Sequence, residues 1–119
     1  MNDKEKNQTK NLFVYGTLQQ GQSRNYVLQG LSYEKATLLN FRKVSPPSLG
    51  FPFIIKDENS EVKGEIYFNL SDSLFSQIDL IEGEGVLYHR INVKVQIFDG
   101  EEYEAYTYYP DKQLIERYV

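Results

Sequence analysis

Residues Asp72–Arg90, DSLFSQIDLIEGEGVLYHR, read as an amphipathic helix, a glycine stop and the start of a strand. Ser71 stands at the expected N-cap, and Asp72 puts negative charge in the first turn, where it suits the helix dipole. Leu74, Phe75, Ile78 and Ile81 recur at helical spacing and form one apolar stripe. Gly83 is the expected stop. Glu82 follows Ile78 by four residues and Leu74 by eight, which places it within the stripe rather than opposite it. Two readings of Glu82 follow. At a fraying helix end it turns to water. On the buried side of the helix its pKa rises, because burial disfavours the charged form, and it becomes suited to general acid/base chemistry.

Around this stretch lies a chain of 119 residues, the length of one domain. It has no cysteine, which removes disulfides, thiol nucleophiles and zinc–thiolate sites, and fits a cytoplasmic setting. A net charge of −4 argues against a nucleic-acid surface. No apolar run is long enough to span a membrane, and no charged-then-apolar leader precedes the first strand, so neither membrane span nor signal peptide is expected. The single histidine, His89, cannot build a His-rich metal site. Ten tyrosines and seven phenylalanines suggest an aromatic-rich β-domain.

Upstream, Met1–Asn11 is polar and aperiodic and reads as a mobile tail, leaving residues 12–119 as a single domain. Leu12–Tyr15 is a buried strand that stops at Gly16-Thr17-Leu18. Gly16 permits backbone angles that other residues resist, and a chain leaving a strand there can expose consecutive N–H groups to a carboxylate or oxyanion. The alternative is an ordinary strand-to-loop transition. Arg24–Leu31 is a short helix ending near Gly30, and Ala36–Val44 is a strand followed by a Pro46-Pro47 loop. Phe51–Ile55 is an edge or early strand because of Pro52, and Asp57–Ser60 is a turn. In Glu61–Leu70, residues Val62, Gly64, Ile66, Phe68 and Leu70 share one face, and Lys63, Glu65, Tyr67 and Asn69 the other. Gly64 marks a close approach or a bulge.

Downstream, Leu87–Phe98 is the clearest strand, and Asp99-Gly100 turns it into a hairpin with Glu102–Tyr109. A three-residue loop that keeps both residues in the core puts Ala105 opposite Val95. Leu114–Val119 gives weak signal. These elements make an α+β fold, a small curved mixed sheet or barrel-like β-domain carrying one main helix.

VYGTL at residues 14–18, VKGEIY at 62–67, and IDLIEG followed by YHR together resemble the γ-glutamylcyclotransferase-like family, which includes the γ-glutamylamine cyclotransferases and the plant AIG2-like proteins. The resemblance runs from about Leu12 to Tyr109 and implies a barrel-like fold. It implies that the backbone N–H groups of Tyr15, Gly16, Thr17 and Leu18 hold the substrate's glutamyl moiety and that Glu82 is the catalytic glutamate. The implied substrate is a small γ-glutamyl amide. Its α-amine attacks its own γ-carbonyl, releasing an amine or amino acid and leaving 5-oxoproline, with no metal, nucleotide or other cofactor. A non-catalytic binding domain on the same fold, or a small-barrel interaction module, would need the loop but not Glu82.

The sequence departs from the resemblance in three places. Gln19-Gln20-Gly21 stands where relatives often carry a basic residue, Asn25 comes one place late, and the wall that longer relatives build at the C-terminus is missing or replaced by Tyr118. Asp79, one turn before Glu82, reads as an exposed or helix-bonding group, and Arg90 as an ion-pair partner of Asp79 or Glu65. Tyr88 and Tyr108 read as core rather than pocket wall, and His89 as a surface residue.

Overall fold

Five strands form where apolar residues alternate: β1 (Leu12–Val14), β2 (Tyr33–Val44), β3 (Phe53–Tyr67), β4 (Tyr88–Ile97) and β5 (Glu102–Pro110). The computed structural model describes residues 10–119 and closes these strands into a barrel in the order β1-β3-β2-β4-β5. β1 runs antiparallel to β3 and parallel to β5, where Leu12 meets Tyr106. The sheet is therefore mixed, and closure leaves no free edge. Two helices accompany it, α1 (Asp72–Glu82) and α2 (Lys112–Tyr118). No helix among the described residues is long and apolar enough to cross a membrane.

The strands bury both faces. One cluster, with Phe13, Leu38, Val62, Ile66, Val95 and Ala105, comes from the strands and Tyr15. The other sets Leu12, Val14, Phe53 and Tyr67 against Phe75 and Ile78 of α1 and Leu114 of α2. α1 has the limits its caps dictate. Ser71 Oγ accepts from Leu74 N at 3.1 Å, and Gly83 ends the helix in a left-handed conformation with φ of 65°.

Several expectations need correction. The turn chemistry of residues 57–60 does not end a strand. β3 runs on through it, and these four residues bulge opposite Asn40, between the pairs Phe41–Lys56 and Leu39–Glu61. Asp57 holds the bulge by accepting from Asn59 N at 3.2 Å and Ser60 Oγ at 2.9 Å. Ala105 faces Val93 rather than Val95, because the hairpin loop is Phe98-Asp99-Gly100 and starts one residue earlier than expected. The shift is even, so Ala105 keeps its core face and is fully buried. Glu65 and Tyr67 lie on the side opposite Val62 and Ile66 yet are buried, because the chain after β1 covers them. The segment from Arg24 tightens into a 3₁₀ turn over Asn25–Leu28. The weak C-terminal signal resolves into α2, capped by Asp111, whose Oδ2 accepts from Gln113 N at 3.0 Å. Of the expected tail, residues 1–9 lie outside the described residues. Lys10 pairs with Asp72 at 2.8 Å, and Asn11 Nδ2 donates to the Glu104 carbonyl at 3.0 Å.

Gly64 is a close approach, as one of its two readings held. A Cβ there would sit 2.2 Å from the Val14 carbonyl oxygen and 2.8 Å from the Phe13 ring. Gly64→Ala must therefore push β1 and β3 apart, at a cost of about 3 kcal/mol, the upper end for an overpacked core. A urea midpoint within error of the parent's would show that β1 yields freely.

Candidate active site

β1 delivers the chain into residues 15–18, where three carbonyls are taken by hydrogen bonds. Gly16 O accepts from Gln19 N at 3.1 Å, Thr17 O from Arg24 N at 2.8 Å, and Leu18 O from Asn25 Nδ2 at 2.8 Å. A trans peptide directs its N–H opposite to the carbonyl before it. Tying down the carbonyls of Gly16 and Thr17 thus turns the N–H groups of Thr17 and Leu18 outward, and no described residue accepts from them. Gly16 itself has no positive φ, contrary to the expectation of special backbone angles. Its small size serves contact instead, since a Cβ would lie 3.2 Å from Pro52 Cγ.

A buried polar network clamps the loop from beneath. Gln20 N donates to Glu65 Oε1 at 2.8 Å, and Tyr67 OH donates to the same oxygen at 3.2 Å. Asn25 Nδ2 donates to Tyr67 OH at 2.9 Å, and Gln20 Nε2 at 3.2 Å. Gln20, in the stretch where relatives often carry a basic residue, is thus used inward.

A cavity of about 330 Å³ opens between this loop, the C-terminal end of α1 and the segment Gly50–Pro52. Tyr15, Gly16, Thr17, Leu18 and Glu82 all border it, so the structure brings the sequence-predicted residues together. Glu82 is half-buried at a helix end fixed by Gly83, not a fraying group turned to water. Burial raises its pKa, and the positive charge of Arg24 opposes the rise. Its carboxyl receives no hydrogen bond from a described residue.

Tyr88 and Tyr108 are buried as expected, but both also line the cavity. Tyr88 OH donates to the Pro52 carbonyl at 2.8 Å, and Tyr15 OH to the Tyr108 carbonyl at 2.6 Å. Burial holds all three phenols above their ordinary pKa, helped at Tyr108 by its hydrogen bond to Asp79 and at Tyr88 by Glu82 nearby, so they remain protonated donors. Asp79 does not border the cavity. It accepts from Tyr108 OH at 2.5 Å and pairs with Arg90 at 3.3 Å. Arg90 sits against Phe75 and Tyr106, 4.8 Å from each ring, which makes it structural. His89 is exposed and meets Asp111 at 2.7 Å. Tyr118 builds no wall here and packs on Phe53.

Sequence reasoning missed Arg24, Phe51, Pro52 and Leu87 as cavity residues. Arg24 opens the short helical segment, where local spacing says nothing of a cavity. Phe51 and Pro52 carried only strand and edge signals. Among the described residues no cluster of side chains suits a metal ion.

Comparison with known proteins bears on the family and the fold. The family model described as gamma-glutamyl cyclotransferase, AIG2-like, matches residues 12–118. The chain is similar to gamma-glutamylaminecyclotransferase A of Danio rerio, at 30% identity over 109 residues, 82% of this chain and 67% of the relative. It is also similar to AIG2-like protein B of Arabidopsis thaliana, at 30% over 111 residues, 92% of this chain and 63% of the relative. It spans about two thirds of the length of these curated relatives. The crystal structure of an AIG2-like protein from Mus musculus shares the fold, with a TM-score of 0.75 at 22% identity, over 84% of this chain and 76% of that one.

An NMR titration is expected to place the Glu82 pKa above its ordinary value of 4.5, and Arg24→Gln to raise it further by removing the opposing charge. The folded state then binds the Glu82 proton more tightly than the unfolded chain does. The Glu82 contribution to stability therefore declines as pH rises from 4.5 through the folded pKa, and Glu82→Gln removes that decline. An ordinary or lowered Glu82 pKa would contradict the burial argument.

Proposed function

The chain belongs to the AIG2-like gamma-glutamyl cyclotransferase family, and on that premise we propose that it cyclises a γ-glutamyl amide to 5-oxoproline, releasing an amine or amino acid, with Glu82 as general acid/base. The observation that carries this reading is the shared cavity. A half-buried carboxyl with no hydrogen-bond partner among the described residues borders the same cavity as Thr17 and Leu18, whose backbone N–H groups have no described acceptor.

The chemistry follows from the parts. The substrate's α-amine, once neutral, attacks its own γ-carbonyl carbon. The new C–N bond closes a five-membered ring and moves charge onto the carbonyl oxygen. Glu82 takes the proton that the attacking nitrogen sheds and gives it to the leaving nitrogen as the old C–N bond breaks. One amide replaces another, and no water is consumed. The attack is intramolecular, so holding the chain folded supplies much of the rate. The Thr17 and Leu18 N–H groups suit the α-carboxylate or the developing oxyanion. A raised pKa brings Glu82 nearer to neutral working pH, where one group can both accept and donate.

Glu82→Gln tests this. The amide keeps size but cannot carry the proton, so 5-oxoproline release should fall roughly 10²–10⁴-fold. The melting temperature should hold or rise slightly, since a buried ionisable group becomes neutral. The assay runs over γ-glutamyl amino acids and γ-glutamyl amines alongside a thermal melt. Release by the folded variant equal to the parent's would remove Glu82 from the reaction.

A further inference from the structure

Among the described residues lining the cavity, Glu82 is the one anion and Arg24 the one cation. Arg24 is solvent-exposed, so its guanidinium belongs to the mouth. One bond anchors its backbone and a longer one reaches from its side chain. Its backbone N donates to the Thr17 carbonyl at 2.8 Å, and its Nη1 to the Ile81 carbonyl at 3.4 Å. The guanidinium therefore stands at the C-terminal end of α1, beside the residue that carries the proton. It takes part in none of the ion pairs among the described residues, and the other donors of its planar fork have no described acceptor.

We propose that Arg24 binds a carboxylate on the leaving group, so that the preferred substrates are γ-glutamyl amino acids rather than γ-glutamyl amines. The word "leaving" rests on the ring-closure reading above. In that reading the glutamyl part lies inward against the loop N–H groups, and its γ-amide meets Glu82. Whatever continues beyond the amide nitrogen passes Glu82 toward the mouth, where the guanidinium stands. An arginine fork matches a carboxylate in both charge and shape. A leaving amine without a carboxylate gives it nothing to bind, and a cationic tail is repelled.

Two analogues that cannot cyclise isolate the contact. Glutaryl-L-alanine and N-ethylglutaramate both lack the α-amine and differ in one carboxylate. Calorimetry on the parent should find glutaryl-alanine bound roughly 5- to 20-fold tighter, the range for a charge-assisted contact at a partly exposed site. Arg24→Gln should bring that ratio close to one, and Arg24→Lys, which keeps the charge but not the fork, should retain part of it. A ratio near one in the parent overturns the proposal. So does an Arg24→Gln variant that weakens both analogues equally, which would assign Arg24 to the glutamyl carboxylate instead. The 5-oxoproline assay is then run on γ-glutamyl-alanine and γ-glutamyl-ethylamine, and the same discrimination should appear in KM. A parent that shows the affinity ratio but releases no 5-oxoproline supports Arg24 as a carboxylate site while overturning the ring-closure reading.

Discussion

Three residues hold this molecule shut. β1 lies between β3 and β5, with all of Leu12, Phe13 and Val14 buried. Side-chain and backbone bonds fasten both ends of the seam. Thr107 Oγ1 donates to the Phe13 carbonyl at 2.9 Å, and Tyr106 N donates to the Asn11 carbonyl at 2.9 Å. So short a strand is stable only because both its faces are covered and its carbonyls are taken. Everything functional hangs from it. Val14 lines the cavity, and the very next residues, 15–18, line it too. Gly64 belongs to the same constraint, because a side chain on β3 there would push against the Val14 carbonyl.

The loop would be costly to order without the polar network beneath it. Burying Glu65 is unfavourable unless it is hydrogen-bonded, and Gln20 N and Tyr67 OH both donate to its Oε1. Tyr67 and Asn25 extend the chain of bonds to the Leu18 carbonyl. The network spends its hydrogen bonds on the inward side of the backbone, leaving the outward N–H groups of Thr17 and Leu18 free. In the proposed ring closure, donors fixed before the substrate arrives would need no reorganisation as charge develops.

What could be read in the sequence was what depends on neighbours along the chain. Ser71 and Gly83 bracket α1 because caps act within a turn, and the position of Glu82 on the apolar stripe follows from helical period alone. Alternation assigned Glu65 and Tyr67 to a face but could not say whether protein or water covers it. Asp57 has genuine turn chemistry, and only the partner strand decides between a turn and a bulge. The hairpin loop could begin at Phe98 or Asp99 with the same faces buried, so hydrophobicity does not choose between them. Arg24 reaches the end of α1 from 57 positions away in the chain, a contact made by the closed fold and invisible to spacing.

The two irregular regions also differ in how they tolerate a change in length. The 57–60 bulge projects four residues out of register against one, and the ladder resumes on either side of it. A residue gained or lost there alters a protrusion. In α1 the eleven residues from Asp72 to Glu82 act as a dial set by Ser71 at one end and Gly83 at the other. Inserting one residue between cap and glutamate turns the carboxyl about 100° around the helix axis, away from the cavity. The bulge can absorb a change in length, whereas a change within the helix redirects its last side chain.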